Sequence, residues 1–252
     1  MNALRLESVG KRFGGVHAVD GVTFDVRPGE VTGLIGPNGA GKTTLINLIT
    51  GKLSVSIGSI HLGPRDITTS TPHAIARAGV ARTFQTIRLL KDSSVVDNII
   101  SGLVRTSGAG LVADLLNLPA AREELAAWRL RAVEQLDCFG MRAFAALPAG
   151  KLSYGHQRCI EIMRAIAASP SLVLLDEPAA GMNDVEAEQL GRIFRRLASD
   201  GIAVLLVEHN MRLVMSICDR LHVLDSGRLI ASGSAAEVAA DPAVVAAYLG
   251  SA

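Results

Sequence analysis

Apolar residues follow two patterns along the chain. The runs SLVLL (171–175) and IAVLLV (202–207) are continuous, as expected of central parallel strands buried on both faces. LRLESV (4–9) alternates instead, like a half-buried strand, and VTFDVRPGEVTGLI (22–35) predicts two strands joined at RPGE. Helical spacing follows in KTTLINLITG, which closes at Gly51. TPHAIARAG predicts a short helix with Thr71 as its cap, Pro72 in its first turn and a stop at Gly79. Further helices are predicted over about 184–199 and 210–218, and RLHVLDSGRLIASGS predicts a hairpin turning at Ser226–Gly227.

Residues from about 87 to 150 break this rhythm and contain no convincing buried strand. LPAAREELAAWRLRAVEQLDCFG reads as one long helix with Leu125, Trp128, Ala132, Val133 and Leu136 along a single face. The pattern predicts one α/β domain over 1–252, with a helical subdomain inserted at about 87–150 and a C-terminal hairpin and helical tail from about 226 to 252.

Composition narrows the class. The chain has 252 residues, 49% of them hydrophobic and only 4% aromatic, which suits an aliphatic interior. With 25 basic and 24 acidic residues the net charge is +1, so no overall field favours nucleic acid or an anionic membrane. Cys138, Cys159 and Cys218 are few, odd in number and without CxxC spacing, which predicts a reducing compartment and three small buried hydrophobes. The N-terminal stretch shows no apolar signal core, and no apolar run approaches the roughly 20 residues of a spanning helix. Any membrane role is therefore expected to run through a partner. His17, His61, His73 and His222 show no metal-ligand spacing.

The densest chemistry is GPNGAGKTT: Gly36, Pro37, Asn38, Gly39, Ala40, Gly41, Lys42, Thr43 and Thr44. It matches G-x-x-x-x-G-K-[ST] and sits between a predicted strand and a predicted helix. Glycines let successive N–H groups turn toward a polyphosphate, and the helix adds its positive end. Lys42 then reaches the β- and γ-phosphates, and the Thr43 hydroxyl is a Mg²⁺ ligand. SLVLLDEP adds the acids that hydrolysis needs, at the C-terminal end of a buried strand. Asp176 is expected to hold Mg²⁺, and Glu177 to orient and polarise the attacking water.

Together these residues resemble the ABC-type ATPases. The discriminating segment is LSYGHQR (152–158), similar to the family's LSGGQ signature, with Tyr154 in place of a glycine and His156 in place of the glutamine. The resemblance implies that Ser153, Tyr154, Gly155 and His156 touch the γ-phosphate of a nucleotide held by the other subunit; His156 reads equally as an exposed helix residue. It also implies that Gln85 in RTFQTIRLL joins the magnesium site to the helical insertion, and that His209 in LLVEHNM is the switch histidine on the γ-phosphate. Phe13 in KRFGG is similar to the aromatic that stacks on adenine, with a core phenylalanine as the competing reading. PAAGMN resembles the loop that crosses the dimer seam, with Asn183 near the usual aspartate position.

The resemblance covers essentially the whole chain. KRFGG, ARTFQTIRLL, LDEPAAGMN and the terminal AAYLG together look like ATP-binding subunits of branched-chain amino acid-type importers, a group that includes systems for urea, amides and aromatic acids. It implies a P-loop core with an antiparallel β subdomain and an inserted α-helical subdomain, and ATP and Mg²⁺ as ligands. It further implies a homodimer or a heterodimer with a second ATPase, membrane-spanning permease subunits, an extracytoplasmic solute-binding protein, and a peripheral place on the cytoplasmic face of the cell membrane. The alternatives are a soluble ABC ATPase acting on nucleic acid or ribosome, and a regulatory module that binds nucleotide without hydrolysing it. The first lacks coiled coils and a second cassette here, and the second is opposed by Glu177 and His209.

Overall fold

A computed structural model describes residues 3–83, 87–103 and 119–249. The chain separates into two compact units: one takes the chain up to Arg82 and again from Ser171, and the other is Thr83–Pro170.

The first unit holds two sheets. The smaller is antiparallel, in the order β2 (Val16–Val26), β1 (Leu4–Phe13), β4 (Ile57–Leu62), β5 (Arg65–Asp66). The larger runs β10 (Arg228–Gly233), β9 (Arg220–Asp225), β3 (Val31–Ile35), β8 (Ala203–Val207), β7 (Leu172–Asp176), β6 (Val80–Arg82). Strands β9 to β6 are parallel, and only β10 is antiparallel to its neighbour. Every residue of β3, β7 and β8 is buried, which is why these runs carry no polar alternation. The two strands flanking RPGE do not pair with each other: β2 belongs to the small sheet and β3 to the large one. Between the sheets lies α1 (Lys42–Ile49), whose Leu45, Ile46, Leu48 and Ile49 join Leu4, Phe24, Leu174 and Leu205 in one core. Each such aliphatic side chain contributes about 1.5–3 kcal/mol on burial. Helix α2 (Pro72–Arg77) starts as its sequence predicts, with the Thr71 hydroxyl accepting from Ala74 N–H at 3.3 Å.

The second unit packs α3 (Val95–Ile100), α4 (Pro119–Cys138) and α5 (Tyr154–Ile166) around Ile99, Ala132, Leu136, Ile160 and Met163. It therefore takes in the helix that begins within LSYGHQR. The face of α4 differs from the predicted one: Leu125 is exposed, because the stripe that meets the core steps by four residues through half-buried Trp128 to buried Ala132 and Leu136. Cys138, at the end of α4, is exposed and Cys159 is half-buried, so only Cys218 behaves as a buried hydrophobe. Burial pushes its thiol up to about 12.

Helix α6 (Asp184–Ser199) and α7 (Met211–Ile217) close the first unit against the large sheet, and α8 (Ala235–Ala240) and α9 (Pro242–Leu249) follow β10. Asn183 caps α6 in a reciprocal capping box with Glu186. Among the described residues no helix is long and apolar enough to cross a membrane.

Candidate nucleotide-binding site

The phosphate loop connects β3 to α1 as the sequence predicts, and its glycines are fixed by close contacts. A Cβ on Gly36, at φ 146°, would stand 2.0 Å from Leu224 O. One on Gly41, the left-handed N-cap of α1 at φ 101°, would stand 2.5 Å from Ala18 O. The loop is thus pressed between β2 and the β9–β10 hairpin, whose turn residues Ser226 and Gly227 both have positive φ. Gly227 N–H donates to Ala40 O at 3.0 Å and its carbonyl accepts from Asp20 N–H at 2.8 Å.

A cleft of about 470 Å³ opens over the loop, lined by Asn38 to Thr44, by Val16, His17 and Ala18, by Ser226 and Gly227, and by Glu177 and His209. Gly36 and Pro37 stand behind the lining and turn their carbonyls to Lys42, whose Nζ donates to both at 2.7 and 2.8 Å. Burial pulls the Lys42 ammonium below its ordinary range, opposed by the charges of Glu177 and Asp176. Phe13 is half-exposed, which excludes the core reading, yet it does not line the cleft, where Val16 is the largest apolar side chain. The turn at Ser226–Gly227 falls where the sequence predicts it, but its place in the cleft, like that of His17, was not legible there, since no spacing ties either segment to the loop.

The large sheet delivers the acids. Asp176 ends β7 and is buried, its Oδ2 accepting from Arg82 Nη2 at 2.9 Å. Arg82 also donates to Asn47 Oδ1 at 2.7 Å and Thr50 Oγ1 at 3.3 Å, so one guanidinium ties β6, α1 and β7 together. Its sequence signal was slight, a basic residue closing a three-residue strand. Glu177 follows at φ 49°, a conformation that non-glycine residues hold mainly under outside constraint. Its Oε1 lies 2.6 Å from His209 Nε2. These two groups come from the ends of adjacent parallel strands, β7 and β8, and meet at the mouth of the cleft.

For a divalent cation the site offers hard oxygens: the Thr43 hydroxyl in the cleft lining and the Asp176 carboxylate at the end of β7. Among the described residues no group of three or more His, Cys, Asp or Glu converges. That sparse donor set fits Mg²⁺, which keeps waters and takes few protein ligands beside substrate phosphates. Gln85, the third expected ligand, lies outside the described residues.

In the second unit, Ser153 caps α5, its Oγ accepting from His156 N–H at 3.4 Å and meeting His156 Nδ1 at 3.0 Å. Tyr154 is exposed and Gly155 half-buried. His156 is half-buried rather than a bare surface residue, since its ring packs on Phe144 with centroids 4.7 Å apart. The last residue of LSYGHQR is buried: Arg158 donates to Glu161 Oε2 at 2.7 Å.

A strand–glycine loop–helix cradle with an acid–histidine pair beside it defines a nucleoside-triphosphate-hydrolysing cassette. The chain belongs to the ABC transporter family of ATP-binding proteins, whose model matches residues 19–180. It binds and hydrolyses ATP to power transport. A second model, the branched-chain amino acid ATP-binding cassette transporter, matches residues 228–252. The chain is 40% identical over 250 residues to the high-affinity branched-chain amino acid transport ATP-binding protein BraF of Pseudomonas aeruginosa, covering 99% of this chain and 98% of that one. It is 33% identical over 252 residues to the lipopolysaccharide export system ATP-binding protein LptB of Escherichia coli, covering 99% and 98%. The ADP conformation of MJ1267, an ATP-binding cassette of an ABC transporter, superposes with a TM-score of 0.86 at 35% identity over 99% of each chain.

Proposed function

We propose that two such cassettes, two copies of this chain or one copy and a related ATPase, clamp two ATP molecules head to tail. Each nucleotide lies between the phosphate loop of one subunit and Ser153, Tyr154, Gly155 and His156 of the other. The observation that carries the hydrolytic part is the 2.6 Å Glu177–His209 pair at the mouth of the cleft. Glu177 accepts a hydrogen bond from the attacking water, and His209 holds that carboxylate in place and faces the γ-phosphate. The water oxygen bonds to the γ-phosphorus as the bond to the β,γ-bridging oxygen breaks, releasing ADP and inorganic phosphate. Lys42 exchanges a loop carbonyl for phosphate oxygen as ATP enters. Thr43, Asp176 and Gln85 hold Mg²⁺, which when bound screens the phosphate charge.

Closure of the dimer drives membrane-spanning permease subunits, with the cassette peripheral on the cytoplasmic face of the cell membrane. The direction is import, fed by an extracytoplasmic solute-binding protein. The solute is a branched-chain amino acid or a related small polar molecule. The full-length likeness to BraF and the matching C-terminal segment support this reading of the cargo.

Glu177→Gln tests the reading. It should retain ATP, lower turnover about 10²–10⁴-fold, and accumulate an ATP-dependent dimer on size exclusion. Turnover at the parent rate would remove Glu177 from the proposed role. For the cargo, leucine-stimulated ATPase activity in vesicles carrying the permeases and binding protein is expected; stimulation by none of the candidate solutes counts against import of this class.

A further inference from the structure

Strand pairing between β7 and β8 runs out at Asp176↔Val207 and Glu177 N–H to Val207 O at 2.9 Å. Beyond that point the two chains separate into the loops that carry Glu177 and His209. Glu208 stands at the parting, and it is 4% exposed. A carboxylate at that depth persists only if its oxygens are hydrogen-bonded. Here Oε1 accepts from Ala179 N–H at 2.7 Å, while Oε2 accepts from His209 N–H at 3.0 Å and Asn210 N–H at 3.4 Å.

The placement has a consequence for chemistry. Ala179 lies two residues after Glu177 and is itself buried. Asn210 caps α7, its Oδ1 accepting from Leu213 N–H at 3.1 Å. One side chain therefore links the backbone behind the acid, the backbone of the histidine and the start of the next helix. We infer that Glu208 is a positioning residue for hydrolysis: its carboxylate yokes the two loops and so sets the approach of His209 to Glu177. The inference rests on the roles proposed above for those two residues.

A carboxylate suits the task because it is purely an acceptor, and the three groups aimed at it are all donors. Glutamine has the same shape but brings an N–H₂ against at least one of those N–H groups, whichever way the amide turns. Glu208→Gln should loosen the yoke without touching the phosphate loop. On the full chain, under conditions in which the parent turns over, kcat should fall roughly 10–100-fold, the scale of a displaced catalytic group. The Kd for ATP should stay within about threefold, since Lys42 and the loop glycines are untouched. In a His209→Ala background the same change should add little, because the group it positions is gone.

A folded Glu208→Gln protein with parent kcat overturns the inference, as does a loss confined to ATP affinity or one that multiplies fully with His209→Ala. Should that variant not fold, amide exchange on the parent protein decides. Slow exchange at Ala179 and His209 is expected, and exchange at the rate of open loops overturns the yoke. Glu177→Gln run alongside separates the failures: if it alone is inactive the site stands and the yoke falls, and if it is fully active the site reading falls first.

Discussion

Lys42 spends two of the three donors of its ammonium on carbonyls of its own loop, at Gly36 and Pro37. The charge is thereby held inside the curve of the backbone, where burial already disfavours it. A phosphate arriving there meets a cation that is desolvated in advance and that gains by exchanging a neutral partner for an anionic one. Lys42→Ala should therefore weaken ATP binding about 10–100-fold, the worth of one charged hydrogen bond, and isothermal titration checks it. Unchanged affinity would contradict the phosphate-loop reading. Gly36 is constrained in a different way: the carbonyl of Leu224, far along the chain, occupies the space a side chain would need. The motif glycine is thus required by the fold of the β9–β10 hairpin as much as by the nucleotide.

At the scale of elements, α5 carries two kinds of residue in one turn and a half. Its N-terminal cap, Ser153, is exposed and available to a ligand, whereas Arg158 is buried against Glu161. Burial raises the Glu161 carboxyl, opposed chiefly by the Arg158 charge. Removing Arg158 takes away the 2.7 Å partner of Glu161 and leaves that buried carboxylate the more distant Arg164 at 4.0 Å, so Arg158→Ala should cost about 3–5 kcal/mol in urea unfolding. Replacing both by apolar residues of similar volume should cost far less, and a double variant as unstable as the single one would contradict this account. The sequence displayed the i, i+3 spacing of Arg158 and Glu161 but gave no sign of burial, since charged pairs at that spacing usually face water. The same element-level limit explains Leu125: periodicity placed it on a helix, but which stripe is covered depends on where α3 and α5 pack.

At the scale of the molecule, the first unit depends on a meeting of its two sheets at His222. This side chain of β9 stacks on Phe24 of β2 with ring centroids 4.4 Å apart, and its Nδ1 meets Ser232 Oγ at 2.7 Å. Burial, aided by the Arg220 charge, pushes the imidazole down to about 4. An unfolded histidine titrates near 6.5, so between those values the unfolded chain binds a proton that the folded one refuses. Stability from this residue is complete above pH 6.5 and is lost as pH falls toward 4, about 3 kcal/mol in all. Urea midpoints measured from pH 7 to 4.5 should show that loss, and His222→Gln should flatten it. An acid limb of equal slope in the variant would remove His222 as its source.

The sequence by itself determined whatever nearest neighbours decide. The phosphate loop is nine consecutive residues, Gly36 to Thr44, whose glycines, lysine and hydroxyls must be adjacent to wrap one ligand. The buried strands ending at Asp176 and before His209 were equally legible, because apolar runs of five or six residues are too short for a buried helix and suit a strand covered on both faces. Tertiary structure alone decided which remote groups meet. The order β9-β3-β8-β7-β6 sets Glu177 beside His209, Glu208 under Ala179, Arg82 on Asp176 and the Ser226–Gly227 turn behind the loop. Hydrophobic period fixes each strand's burial but not its neighbour, and hydrogen bonds across strand ends exist only once that neighbour is chosen.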